Sequence, residues 1–178
     1  MDGKTISAAE FHESYDAKSK ENAAPEISSD RIGEENNIHL AHELSNVKYY
    51  FALKEINSEQ TIKVLSTFDH RVILITGGDD RKIPLDALAD ALVSKVKHLI
   101  LIGQTSGIIE ICLMRKLTGK NRNVDIRITR CGTLKQAVDC AYLSAKPKDS
   151  VLLSPIGNFI TGSNEKLEEI YRKYVTSL

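Results

Sequence analysis

The stretch RVILITGGDDRK, residues 71–82, joins an unbroken apolar run to two glycines and a group of charged residues. A continuous apolar run of this length predicts a strand that is buried on both faces, as in a parallel sheet covered by helices. Glycines directly after such a strand allow a tight turn, and ligands of open α/β sheets bind beyond the carboxyl ends of the strands. The stretch therefore predicts the fold class and the edge of the sheet where a binding site would lie.

Strand and helix patterns alternate on both sides of this stretch. Helix signals follow each apolar run, with Ser58 and Thr133 as predicted N-caps, Pro84 in a predicted first turn and Gly119 as a predicted stop. This order predicts an α/β, Rossmann-like fold, in which a mostly parallel sheet of five or six strands carries helices on both faces. The predicted strands cover residues 47–51, 71–76, 98–103, 124–129 and 150–155.

Residues 1–32 differ from the rest of the chain, because they are polar and lack sustained hydrophobic periodicity. We expect a partly disordered polar extension over 1–32 and one folded domain over 33–178. No stretch of about 18 apolar residues and no signal-peptide core occurs in the sequence, which predicts a cytoplasmic protein.

The composition argues against several classes of function. Lysine plus arginine and aspartate plus glutamate both number 24, so the formal net charge is zero, and tryptophan is absent. A sequence-independent nucleic-acid binder or a membrane-surface protein would carry excess positive charge, so neither partner is expected. The five histidines are scattered and the three cysteines lack metal-ligand spacing, so no metal and no other cofactor is predicted for this domain.

The common catalytic motifs are also missing from the 178 residues. The GKT at 3–5 has neither the preceding strand nor the first glycine of a phosphate-binding loop, and Asp79 and Asp80 would repel a phosphate near the two glycines. Ser154 lacks the G-x-S-x-G sequence of a nucleophilic serine. The charged residues of 164–174 are interpreted as a solvated helix face. The sequence therefore predicts no catalytic residue.

Read in order, several segments together resemble one known family. VKYYFALKEIN (47–57), RVILITGGDDRKIPLDALADAL (71–92) and AKPKDSVLLSP (145–155) are similar in order and spacing to the C-terminal domain of the Mur ligases, particularly the D-glutamate-adding members. The resemblance covers about residues 33–178. It implies a domain of an ATP-dependent amino-acid ligase of peptidoglycan synthesis, whose central domain holds the phosphate loop and Mg²⁺ and whose C-terminal domain brings the incoming amino acid.

Site residues transfer only where this sequence matches the family. The family segment N-D-S-K-A-T-N falls on residues 51–57, where its lysine and last asparagine are retained as Lys54 and Asn57. Ala52 and Ile56 replace an aspartate and a threonine that contact ligands in the family. The resemblance thus implies substrate-binding roles for Lys54 and Asn57 with part of their surroundings lost.

The family loop G-G-x-D-[KR] is matched by Gly77, Gly78, Asp80 and Arg81, and the first serine of S-P-A-x-A-S-x-D is matched by Ser154. The later serine and aspartate of that motif are absent. The resemblance implies that the cation of the G-G loop contacts a substrate carboxylate, a task that suits a guanidinium group. We expect Lys54, Arg81 and Ser154 to border one space that accepts a small anionic or amino-acid ligand.

Three interpretations of the whole chain remain open at this point. The first is a binding module resembling this domain that is not catalytic alone. The second is one half of a split ligase, completed by a partner chain that carries a Mur central domain, and the third is a fragment of a conventional ligase. For the loop itself, the alternative is that Arg81 only pairs with Asp79, Asp80 or Asp86 and that the two glycines only form a corner.

Overall fold

The computed structural model describes residue 33 and residues 36–79, 82–158 and 164–178. These residues belong to one compact unit, Arg31–Leu178. The expected polar extension over 1–32 lies outside the described residues. Its character and the proposed domain boundary therefore stay predictions.

The described residues form six strands and five helices. They alternate along most of the chain, as the apolar pattern predicts. In chain order they are β1 (His39–Leu44), β2 (Val47–Phe51), α1 (Ser58–Thr67), β3 (Val72–Gly77), α2 (Leu85–Lys95), β4 (Val96–Ile102), α3 (Ser106–Thr118), β5 (Arg127–Cys131), α4 (Leu134–Ser144), β6 (Ser150–Leu153) and α5 (Asn164–Thr176).

The six strands form one sheet in the order β1-β2-β6-β3-β4-β5. β2, β6, β3, β4 and β5 are parallel, and β1 pairs antiparallel with β2. β3, the strand of the opening stretch, lies inside the sheet between β6 and β4. The predicted α/β fold with a mostly parallel sheet is confirmed.

The antiparallel edge strand β1 is absent from the strands predicted by the sequence. Its side chains are exposed or half-buried throughout, so it lacks the apolar run that reveals the inner strands. Ser45 and Asn46, with φ of 53° and 62°, form the turn into β2. Two consecutive positive φ values suit a tight β-hairpin, and asparagine tolerates them well.

Apolar side chains of β3 point alternately into two cores. Val72 and Leu74 pack in the cluster that contains residues of α1, α2 and α3, whereas Ile73 and Ile75 pack in the cluster that contains residues of α4 and α5. All four side chains are fully buried. The central strand is thus covered on both faces, which is why its sequence is apolar without alternation.

The two predicted N-caps have different outcomes. The Thr133 hydroxyl accepts a hydrogen bond from the backbone N–H of Gln136 (3.2 Å), which confirms it as the cap of α4. The cap of α1 is Asn57, whose Oδ1 accepts from the Gln60 N–H (2.8 Å). The prediction of Ser58 was wrong, because Ser58 is already the first helical residue and is buried.

Three polar side chains are buried in the core between the sheet and helices α4 and α5. Burial and, secondarily, Arg127 and Lys97 lower the pKa of His98 from 6.5 to about 4. Burial raises the pKa of Tyr49 to about 12, with a smaller contribution from Tyr142. Burial also raises the pKa of Tyr171, with a smaller contribution from Tyr49. Neither tyrosine hydroxyl has a hydrogen-bond partner among the described residues.

Candidate functional site at the carboxyl edge

Backbone hydrogen bonds fix the loop roots, which are the first residues of the loops after β3, β4 and β6. The Gly78 N–H donates to the Ile102 carbonyl at the end of β4 (2.9 Å), and the Ile156 N–H after β6 donates to the Gly77 carbonyl (2.7 Å). The Gly78 carbonyl accepts from the N–H and the hydroxyl of Thr105 (3.1 and 3.2 Å). The two glycines therefore connect three loops, and the Gly78 amide is not free to bind a phosphate.

Glycine is required at this corner because backbones approach each other without room for a side chain. Gly77, Gly78 and Gly103 have φ of 119°, 137° and 86°, values that other residues rarely adopt. A Cβ on Gly77 would lie 2.0 Å from the Ile102 carbonyl oxygen, and one on Gly78 would lie 2.6 Å from the carbonyl carbon of Gly157. The glycines of the opening stretch thus have a structural role.

Ser154 directly follows β6 and lies buried under this edge. It is 1% exposed, and its Oγ is 2.8 Å from the Thr61 hydroxyl of α1. The Thr76 hydroxyl of β3 donates to the Ser154 carbonyl (2.6 Å). A ligand would reach the Ser154 hydroxyl only if the contact with Thr61 opened.

Asn57 and Asp79 use their side chains to hold the local backbone. Asn57 caps α1, and its carbonyl accepts hydrogen bonds from the N–H and the hydroxyl of Thr61 (both 3.2 Å). Asp79 Oδ1 accepts from the Asn158 N–H (2.7 Å), which joins the loops after β3 and β6. Asp80 and Arg81 lie outside the described residues, so the expected position of Arg81 stays a prediction.

Lys54 is exposed and lines an open cavity of about 350 Å³. The cavity lies between the end of β2 and the first turns of α5, on the side of the sheet that carries β1. The Asn164 side-chain amide donates to the Leu53 carbonyl (3.0 Å) and so ties the start of α5 to the loop that carries Lys54. The other residues that line the cavity include Asn37, His39, Phe51, Glu165 and Glu168.

The two carboxylates of this cavity differ in their partners. Glu168 Oε1 accepts a hydrogen bond from Arg172 Nε (2.8 Å), and the Arg172 guanidinium lies 4.8 Å from the centre of the Phe51 ring. For Glu165 the described residues provide no ion pair. The cavity thus presents one ammonium group, from Lys54, and one carboxylate, Glu165, that is not neutralised by a described cation.

The sequence interpretation missed the contribution of α5 to this cavity. Glu165 and Glu168 are three residues apart on a helix and so share a face, but the whole segment was taken as a solvated surface. The available signal was that the chain leaves β6 at the carboxyl edge of the sheet and that α5 is the next element after it. His39 was missed for a second reason, because β1 was not predicted.

The described ranges contain no group of three or more histidine, cysteine, aspartate or glutamate side chains that could hold a metal ion. The three cysteines are free thiols. Within the same ranges, no helix combines the length and the apolar composition needed to cross a lipid bilayer.

Sequence comparison gives two informative relatives. The chain is 38% identical over 129 residues to the UDP-N-acetylmuramoylalanine–D-glutamate ligase of Ruminiclostridium cellulolyticum, and 42% identical over 123 residues to that of Acetivibrio thermocellus. These alignments cover 72% and 69% of this chain but 28% and 26% of the two enzymes. No family model matches the sequence.

Solved structures support the same relationship at the level of the fold. A UDP-N-acetylmuramoyl-L-alanyl-D-glutamate–2,6-diaminopimelate ligase superposes with a TM-score of 0.51 at 12% identity, over 82% of this chain and 33% of that one. A murein peptide ligase from Psychrobacter arcticus superposes with a TM-score of 0.54 at 14% identity, over 84% of this chain and 30% of that one.

The described part of the chain has the fold of a Mur ligase C-terminal domain. Within that family the chain is homologous to the UDP-N-acetylmuramoylalanine–D-glutamate ligases, and it spans about a quarter of their length. The resemblance read from the sequence is thereby confirmed.

Proposed function

We propose that this domain binds the incoming amino acid of a D-glutamate-adding ligase reaction and does not catalyse that reaction alone. The observation that carries the proposal is the homology to enzymes whose name describes the joining of UDP-N-acetylmuramoylalanine to D-glutamate. Since the alignment covers about a quarter of those enzymes, the proposal is restricted to a binding role for this domain.

The cavity beside Lys54 supports an amino-acid ligand. A free amino acid is a zwitterion, so it needs a cation for its carboxylate and an anion for its ammonium group. Lys54 supplies the first and Glu165 the second, and both line the same cavity. Its volume of about 350 Å³ lies at the lower end of the usual range for small-molecule sites, roughly 300–1,000 Å³.

The remaining residues implied by the family have supporting positions in this proposal. Gly77 and Gly78 hold the loop roots, and Asn57 caps the helix that follows Lys54. We propose that Arg81 adds a second cation for the side-chain carboxylate of glutamate, with Asp80 as its neighbour in the loop. Ser154 contributes through its hydrogen bond with Thr61, which positions α1 against the sheet.

Catalysis would require groups that we assign to a partner. Joining a carboxylate to an amine at the expense of ATP needs a site for the nucleotide phosphates, and the 178 residues contain no G-x-x-x-x-G-K-[ST] sequence after a strand. We therefore propose a partner chain or domain of the Mur central type, acting in the cytoplasm, where ATP is available.

A second candidate function is that the chain forms part of an active ligase, either as one half of a split enzyme or as a segment of a conventional one. The observation that favours it is the greater length of the homologous enzymes. To distinguish a non-catalytic binding module from one half of a split ligase, the chain is mixed with a separately produced Mur central-domain chain. ADP release is then measured in the presence of D-glutamate. Activity that needs both chains supports the split enzyme.

Ligand binding is tested by NMR titration of the 178-residue chain with D-glutamate, L-glutamate and inorganic phosphate. We expect weak binding of glutamate, with a dissociation constant of about 1 mM, and shifts in residues that line the cavity. Lys54→Ala and Arg81→Ala should each reduce the shifts. Lys173→Ala, at the opposite end of α5, is the matched control and should leave them unchanged.

The proposal fails if glutamate causes no shifts, or if the shifts persist unchanged in the Lys54→Ala/Arg81→Ala double variant. Equal shifts with phosphate and glutamate would indicate a general anion site and would contradict the specific role of Glu165. A Glu165→Gln variant that binds phosphate as before but binds glutamate more weakly would support recognition of the ammonium group.

A further inference from the structure

β5 is the edge strand at the other end of the sheet, away from the cavity beside Lys54. It pairs with β4 along one side, and no described strand pairs along its other side. The outer side of an edge strand presents backbone N–H and C=O groups without partners, and such an edge is a template for a further strand. Five residues of extended chain offer about 16 Å of this edge.

On one face of the sheet, helix α3 flanks this edge with exposed apolar side chains. Arg130 of β5 donates a hydrogen bond to the Glu110 carboxylate of α3, which fixes the distance between helix and strand. Met114 lies four residues after Glu110 and therefore on the side of α3 that faces β5, and Ile111, three residues before Met114, shares a face with it. They are 55% and 47% exposed.

On the other face, helix α4 and β5 border an open cavity of about 340 Å³. Arg127 lines it from the strand. Gln136, Asp139, Cys140 and Leu143 line it from one face of the helix, and the Asp139 carboxylate is paired with Lys135. Leu143, in the last turn of α4, is 82% exposed. The edge of β5 thus lies between two surfaces that each combine an arginine with apolar side chains.

The charge of this region indicates the chemistry of its partner. Residues 115–130 contain six cations, Arg115, Lys116, Lys120, Arg122, Arg127 and Arg130, against one anion, Asp125. Asp90 pairs with Lys116 and Glu110 with Arg130, but the described residues provide no ion pair for Arg127. Pairing two copies of this edge would bring like charges together, and charged edge strands resist self-association for that reason.

We propose that the free edge of β5 binds an extended acidic segment of a partner protein by strand addition. Backbone hydrogen bonds supply the pairing, as in other complexes that extend a sheet. Side chains of the added strand alternate between the face that carries Ile111 and Met114 and the face that carries Leu143. Carboxylates of the segment neutralise Arg127 and the other cations nearby.

The test is a selection from a random ten-residue peptide library displayed on phage, with the 178-residue chain as target. Enriched peptides should carry apolar residues at alternate positions together with aspartate or glutamate. NMR mapping with one such synthetic peptide should shift the amides of β5 and the signals of Ile111, Met114 and Leu143. A version of the peptide in which every second backbone amide is N-methylated cannot donate hydrogen bonds to the edge. It should bind roughly tenfold more weakly, or not at all.

Variants distinguish this edge from the rest of the surface. Arg127→Glu and Leu143→Asp change exposed side chains and should each weaken peptide binding roughly tenfold or more, with an unchanged melting temperature. Lys173→Glu, an equal charge change on α5, should not weaken binding. The proposal is overturned if no peptide is enriched over the Arg127→Glu/Leu143→Asp double variant, if the shifts map elsewhere, or if sedimentation shows a dimer that the double variant abolishes.

Discussion

Acidification should destabilise the protein through His98, a residue of β4 that is 3% exposed. Its Nδ1 is 2.8 Å from the Ser144 hydroxyl, and its Nε2 is 3.0 Å from the Thr129 hydroxyl. The Ser144 hydroxyl donates its own hydrogen to the Cys140 carbonyl (2.9 Å), so it accepts from the imidazole. This pattern assigns the hydrogen of a neutral ring to Nδ1 and leaves Nε2 as the acceptor from Thr129.

The magnitude follows from the pKa of His98, which burial, Arg127 and Lys97 lower from 6.5 to about 4. The unfolded chain takes up a proton as the pH falls through 6.5, whereas the folded chain does so only near pH 4. The stability that His98 contributes is therefore fully present above pH 6.5 and is lost as the pH falls to about 4. The total loss is about 3 kcal/mol, of which about 2 kcal/mol is reached by about pH 5.

The assay is urea unfolding of the wild type and of His98→Gln at about pH 7 and about pH 5. The variant has no titrating side chain at position 98. The unfolding free energy that it loses between the two pH values therefore comes from all the other titrating groups of the protein. The wild type should lose about 2 kcal/mol more than the variant. Equal losses, or an NMR titration in which the His98 ring in the folded protein has a pKa near 6.5, would refute the reasoning.

Three further predictions concern the core, the glycine corner and nucleotide. Tyr171→Phe removes a buried hydroxyl without a described partner, so urea unfolding should show equal or higher stability, by up to about 1 kcal/mol, and a clear loss would reveal a hidden partner. Gly103→Ala would place a Cβ 2.7 Å from the Gly78 carbonyl oxygen and should cost about 2 kcal/mol or more. Gly107→Ala, inside α3, would place a Cβ in ordinary contact with the Arg130 guanidinium, 3.8 Å away, and should cost nothing. Calorimetry with Mg-ATP should show no binding to the chain, and a dissociation constant of about 1 μM would contradict this.

The inner strands were predictable because each is buried on two faces and therefore needs a continuous apolar sequence. Edge strands need less burial, and their prediction was correspondingly poorer. β1 was missed, and β5 was expected at residues 124–129 but runs from Arg127 to Cys131. A turn precedes it, in which the Val124 N–H donates to the Asn121 carbonyl, and this turn removes the first residues of the apolar alternation from the strand.

The candidate site was less predictable, because a sequence does not indicate which way a polar side chain faces. Ser154 and Asn57 match the family pattern but make internal hydrogen bonds, with Thr61 and with the Gln60 amide. Glu165 was overlooked because a charged residue in a first helical turn usually faces solvent. Only the packing of α5 beside β2 brings this carboxylate to the cavity that Lys54 lines.

At the corner formed by Gly77, Gly78 and Gly103, the positions of the loops are set largely independently of the side chains that the loops carry. The loops after β3, β4 and β6 are held together chiefly by main-chain atoms of Gly77, Gly78, Ile102 and Ile156. Asp79 and Thr105 add one side-chain contact each, so the starting points of the loops depend little on the other side chains further along. A corner of this kind lets a ligand preference drift, or be redesigned, by substitutions in the loops alone.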